Sequence, residues 1–151
     1  MLLECAAYAA IFGVVVGWLT ALVLEGPRAL AMGGTAALGL SAQLVISLGA
    51  GLYEELLFRV LLVGLLLRLF GLLLPGGRAV ATAGAVIVST LVFSAFHYVG
   101  PLGDTFAVPS FTFRAIAGVA FSLLYVARGF GIVAWTHALY DLGLSLLTAG
   151  G

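Results

Sequence analysis

The sequence predicts an all-α fold, a polytopic transmembrane helical bundle of about five spans. Of its 151 residues, 64% are hydrophobic and 8% are charged, against roughly 25% charged in a soluble domain. The mean hydropathy is +1.28. Several apolar runs reach the ~20 residues that a helix needs to cross a bilayer. The 21 glycines suit closely packed membrane helices, where small residues let backbones approach.

The first span is expected from Leu3 to Leu24. Glu4 is the only charge at its start, and the apolar run is too long for a signal-peptide core, so it reads as a retained span. Gly13 and Gly17 offer a GxxxG-like packing face. Glu25-Gly26-Pro27-Arg28 ends the span with two charges and a helix breaker. The second span starts near Met32 to Thr35 and meets no strong breaker before Pro75-Gly76-Gly77. At 1.5 Å per residue, about 38 helical residues would be ~57 Å long, against a bilayer core of roughly 30 Å. This element must tilt, project from the membrane, or break near Gly49 and Gly51.

The third span is expected from Ala79 to Tyr98. A loop from Gly100 to Ser110 follows, then a fourth span from Phe111 to Ala127. Gly129 is a plausible helix cap, and the fifth span runs from Ile132 to Leu147. Nothing divides the chain, so residues 1–151 read as one membrane domain.

The formal net charge is zero, and the chain has no lysine, so nothing suggests nucleic-acid binding. Cys5 is the single cysteine, which excludes an intramolecular disulfide. Arg68, Arg78 and Arg128 would share one membrane face, opposite Arg28, Glu25 and Asp104. The positive-inside rule then puts the N-terminus in the cytoplasm and the C-terminus outside.

The chemistry is concentrated where an apolar chain should have none. Glu54, Glu55 and Arg59 sit inside the second span, His97 at the end of the third, and His137 and Asp141 inside the fifth. An ionised group at bilayer depth costs on the order of 3 kcal/mol, so three within six residues need a reason. Residues four apart share a helix face, which pairs Glu55 with Arg59, Phe93 with His97, and His137 with Asp141. Glu54 lies about 100° around the helix from Glu55 and need not share its partners.

Height along the helices brings two of these groups level. Glu54 lies about 22 residues before the Gly76-Gly77 turn and His97 about 20 after it, which matches them within one helical turn in an antiparallel hairpin. His137 is well inside the last span. Two histidines and three carboxylates on three helices come within reach of one another. Bland readings exist for each: a neutralised Glu55–Arg59 pair, a satisfied core histidine, a helix-stabilising His137–Asp141 pair, and an Arg68 that extends to the interface. Burying all of them together in one small bundle marks a functional site.

Three motifs occur in order: Glu54-Glu55-x-x-x-Arg59, Phe93-x-x-x-His97 and His137-x-x-x-Asp141. In this the chain resembles the CPBP family, the CAAX-protease and bacteriocin-processing membrane proteins related to the type II CAAX prenyl endopeptidase. The resemblance covers about Gly51 to Leu144, the expected catalytic core. It implies an intramembrane endopeptidase in which Glu54 is the general base and His97 its partner in holding the attacking water. Glu55 and Arg59 then give structural and electrostatic support. His137 donates to the oxyanion. Asp141 stands where the family often carries asparagine; it orients His137 or, if protonated, donates directly.

The resemblance points to a metal-free, glutamate-type mechanism that needs no cofactor, with zinc kept as an alternative because histidines and carboxylates can bind it. No His-Glu-x-x-His helix is present. Implied partners are the lipid bilayer and a membrane-anchored protein or peptide, among prenylated C-termini, leader peptides and sorting tails. The implied location is the plasma membrane of a bacterium or archaeon; the oligomeric state is left open. Two other readings stand beside this one. The first is a non-enzymatic bacteriocin self-immunity factor or scaffold on the same fold. The second is a proton-coupled carrier, which five spans with no visible inverted repeat disfavour.

Overall fold

The computed structural model describes residues 1–24, 39–101 and 103–149. The expected Glu25–Arg28 break and the start of the second span near Met32 lie outside these residues. The elements are α1 (Leu2–Val23), α2 (Leu40–Glu55), a π-helical segment (Leu56–Leu62), α3 (Val63–Leu73), α4 (Gly77–Phe96), α5 (Val108–Arg128) and α6 (Phe130–Ala149). Among the described residues there is no strand, and five helices are long and apolar enough to cross a membrane. The protein is an integral membrane protein with an all-α fold.

The second span is one continuous 34-residue rod from Leu40 to Leu73, about 51 Å long at helical rise. It does not break at Gly49 or Gly51. Its irregularity is the π-helical segment, which starts directly after Glu55. The Val63 N–H and the Ser89 hydroxyl both donate to the Phe58 carbonyl, so a polar side chain of α4 supports the widened turn. Such turns recur at functional sites in helices.

Gly51 has a different role. A Cβ there would lie 2.6 Å from the Ala138 backbone nitrogen and 2.8 Å from the Ala134 carbonyl oxygen. Its missing side chain lets α2 and α6 touch backbone to backbone. Of the first-span pair, Gly13 packs near the Tyr140 ring, whereas a Cβ at Gly17 would meet nothing within 4 Å. Only Gly13 serves as a packing contact.

The turn after α3 uses Gly76 (φ 143°) and Gly77 (φ 73°), conformations that side chains with a Cβ disfavour. It sends α4 back along α3, with Val63, Leu66 and Ala85 packed between them. Gly129 (φ 81°) caps α5, and its N–H donates to the Tyr125 carbonyl at 2.8 Å.

The main core joins α1, α5 and α6 through Phe12, Val16, Ala117, Phe121 and Val133. Phe12 stacks on Phe121 at 4.1 Å, and Phe121 stacks on the His137 ring at 4.6 Å. An aromatic column therefore leads from α1 to the polar groups. Large apolar side chains such as Leu3, Leu72 and Leu147 stand on the outside, as lipid-facing positions do. Arg68 is exposed. Arg128 and Glu4 form an ion pair that ties the end of α5 to the start of α1.

Candidate active site

All six ionisable residues singled out from the sequence meet in one place. α2 presents Glu54 and Glu55 on neighbouring faces, the π-helical segment carries Arg59, the end of α4 carries His97, and α6 carries His137 and Asp141.

Glu55 and Arg59 form the buried part. Glu55 is 0% and Arg59 2% exposed, and Arg59 Nε lies 3.1 Å from Glu55 Oε2. Charges at such depth persist only when compensated. The Arg59 guanidinium also donates through Nη2 to the Gly118 carbonyl at 3.3 Å and sits 4.3 Å from the centre of the Phe93 ring. Gly118 lets α5 pack closely on α4, since a Cβ there would lie 3.1 to 3.2 Å from Thr90 and Phe93.

The other Glu55 oxygen holds His137. His137 Nδ1 lies 2.8 Å from Glu55 Oε1, while Nε2 lies 3.4 Å from Asp141 Oδ2 and 4.0 Å from Glu54 Oε2. The sequence left Asp141 either to orient His137 or to donate directly; of the two carboxylates beside the imidazole, Glu55 is the nearer. Asp141 faces the opposite nitrogen, because residues one turn apart on α6 are nearly stacked along the helix.

His97 is fixed from behind. Its Nδ1 lies 2.9 Å from the Phe93 carbonyl oxygen, so Nδ1–H donates there and Nε2 keeps its lone pair. That Nε2 faces Glu54 Oε2 at 3.6 Å. The turn beyond is tied back by the Asp104 N–H, which donates to the His97 carbonyl at 2.8 Å. Asp104 pairs in turn with Arg114 of α5, whose Nη1 donates to Ser110 Oγ at 2.8 Å.

Glu54 Oε2 is buried and has no hydrogen-bond donor among the described protein groups. It lies within 4.0 Å of two imidazole nitrogens from different helices. Glu54, His97, His137 and Asp141 line a cavity of about 440 Å³ between α2, α5, α6 and the turn after α4. This volume falls in the range of small-ligand sites. Glu55 and Arg59 are not part of its wall.

A family model described as type II CAAX prenyl endopeptidase Rce1-like matches residues 36–143. The chain belongs to this family. The matched segment contains all six site residues, and the Rce1-like family is one of CAAX-type intramembrane proteases. No curated protein and no solved structure matches the chain.

The Glu55–His137 bond and the aromatic bed of Phe93 and Phe121 were not anticipated from the sequence. The i,i+4 pattern signals pairs within one helix, and these contacts cross between helices. Among the described residues, no group of three or more His, Cys, Asp and Glu side chains is placed to hold a metal ion.

Proposed function

We propose that this protein is an intramembrane endopeptidase that hydrolyses a peptide bond in a membrane-associated protein or peptide, with water activated by Glu54 and His97. The observation that carries the reading is the pairing of Glu54 Oε2 with His97 Nε2 at 3.6 Å on the cavity wall. Both are acceptors facing one point, which suits a water bound between them.

In this reading the water oxygen attacks the scissile carbonyl carbon while Glu54 takes its proton. A carboxylate in low-dielectric surroundings is suited to accept and return a proton near neutral pH. The carbonyl π electrons move onto oxygen, and the oxyanion is met by Nε2–H of His137. That ring has an acceptor at each nitrogen, Glu55 at 2.8 Å and Asp141 at 3.4 Å. It satisfies both by carrying both protons, and is then an imidazolium aimed at the developing charge. Collapse of the intermediate breaks the C–N bond, and the proton held by Glu54 passes to the leaving amine.

Glu55 and Arg59 hold His137 and compensate each other, and no step passes through a metal ion. The substrate reaches the site from within or beside the bilayer, in the plasma membrane of a bacterium or archaeon.

The test compares terminal peptides of membrane proteins in cells carrying the wild type or Glu54→Ala at equal expression. Termini that appear only with the wild type are the expected result, and their sequences define the substrate. Identical termini, with a phenotype that needs the protein but not Glu54, would overturn the reading in favour of an immunity or scaffold role.

A further inference from the structure

The cavity has a second polar feature that the proposed chemistry does not use. Gln43 and Ser47 lie eleven and seven residues before Glu54 on α2, spacings that keep all three on one helix face. Ser145 lies two turns beyond His137 on α6, past Asp141. All of these line the cavity, and Ser47 Oγ stands 3.5 Å from Ser145 Oγ across the two helices. A polar stripe therefore climbs from Glu54 toward the Leu40 end of α2, in a chain that is 64% hydrophobic. The cavity is also lined by Phe93, Phe96 and Phe113, and by Asp104, Ser110 and Arg114.

Close packing of α2 on α6 accounts for small residues at Ser47 and Ser145. Gln43 adds a carboxamide to the same cavity wall. A peptide that presents a carbonyl to Glu54 must be extended there, and at bilayer depth each of its N–H and C=O groups needs a partner. Hydroxyl and carboxamide groups can both donate and accept, as backbone recognition demands. From Glu54 to Gln43 the stripe is about 16.5 Å long at helical rise. An extended chain covers that with about five residues at ~3.3 Å each.

We propose that Gln43, Ser47 and Ser145 form a substrate subsite that binds the backbone of about five extended residues on one side of the scissile bond. This rests on the peptidase reading.

The test uses synthetic peptides copied from the termini found in cells, shortened one residue at a time from each end and assayed with the purified protein in lipid nanodiscs. In the wild type, trimming one end to fewer than about five residues should lower kcat/KM by about three- to tenfold, the range of one or two hydrogen bonds. Gln43→Leu should lower kcat/KM for the long peptide by that factor and remove the length dependence. Ser47→Ala should act in the same direction and serves if Gln43→Leu does not fold. Equal loss on long and short peptides in these variants, or no length dependence in the wild type, would overturn the subsite and leave the peptidase reading standing. Cleavage that is the same with Glu54→Ala as with the wild type would overturn both.

Discussion

Glu55 Oε1 lies 2.8 Å from His137 Nδ1, while Glu55 Oε2 lies 3.1 Å from Arg59 Nε. One carboxylate thus joins α6 to the π-helical segment and spends both oxygens on cations or potential cations. Glu55 is fully buried and stays off the cavity wall, while its neighbour Glu54 faces it. The adjacent glutamates do different jobs because consecutive residues point about 100° apart on a helix.

Removing Glu55 should therefore damage folding before it damages chemistry. Glu55→Leu leaves Arg59 buried without its counter-ion, a change that costs about 3–5 kcal/mol in buried pairs. The expected result is low folded yield and a lowered Tm in detergent. The double variant Glu55→Leu/Arg59→Leu should recover Tm, since an apolar replacement of a whole buried pair is often neutral. It should not recover cleavage, because His137 still lacks its Nδ1 partner. A double variant as unstable as the single one would show that the pair is not the reason for the loss.

Glu54 should behave in the opposite way. Its side chain is 12% exposed and, among the described residues, contacts only imidazole nitrogens, His97 Nε2 at 3.6 Å and His137 Nε2 at 4.0 Å, rather than a guanidinium as Glu55 does. Glu54→Gln is expected to fold with a wild-type Tm and to lose about 100- to 10,000-fold in kcat, the range of a positioned general base. Thermal unfolding and a cleavage assay on the same preparation check both halves.

Much of this site was legible in the sequence, for a geometrical reason. Glu54 and His97 were expected to come level because residue counts from the Gly76-Gly77 turn convert to height at a fixed rise, and the two side chains do meet at 3.6 Å. The π-helical segment was not legible. Apart from Arg59, Leu56 to Leu62 reads as ordinary apolar helix, and the contact that supports the wide turn lies on another element, where Ser89 donates to the Phe58 carbonyl. The Glu55–His137 bond escaped for a related reason: it depends on how α2 and α6 are rotated against each other. Gly51 signals that rotation only once its neighbours Ala134 and Ala138 are known.

Asp141 offers a test of protonation. Its Oδ2 lies 3.4 Å from His137 Nε2, the nitrogen left open by Glu55. If Asp141 keeps that nitrogen protonated, Asp141→Asn should lower kcat by about 100-fold, as loss of an oxyanion donor does, with little change in KM. Retained or increased activity would instead assign the amide, and by extension a protonated Asp141, a direct donor role.

Metal dependence can be checked without mutation. No described group of three His, Cys, Asp or Glu side chains is placed to hold an ion, so activity should survive exhaustive chelation. Elemental analysis of the purified protein should find less than one equivalent of zinc. Loss of cleavage on chelation, restored by zinc, would require the water to be activated by a metal.

The closeness of α2 and α6 should be the most sensitive feature of the fold. Gly51→Ala puts a methyl 2.6 Å from the Ala138 backbone nitrogen and from its Cβ, and 2.8 Å from the Ala134 carbonyl oxygen. Backbone cannot move aside as a flexible side chain can, so the helices must separate. Overpacking of this kind costs about 1–3 kcal/mol. The separation also acts on the site, since Gly51 is one turn from Glu55, and moving α2 outward lengthens the Glu55–His137 bond. Gly51→Ala should therefore lower Tm and cleavage together. Gly49→Ala is the control. A Cβ there meets nothing within 4 Å, and alanine is favoured over glycine in a helix by up to ~1 kcal/mol. It should leave cleavage intact and hold or raise Tm. Equal effects of the two substitutions would mean that α2 and α6 are not held by this contact.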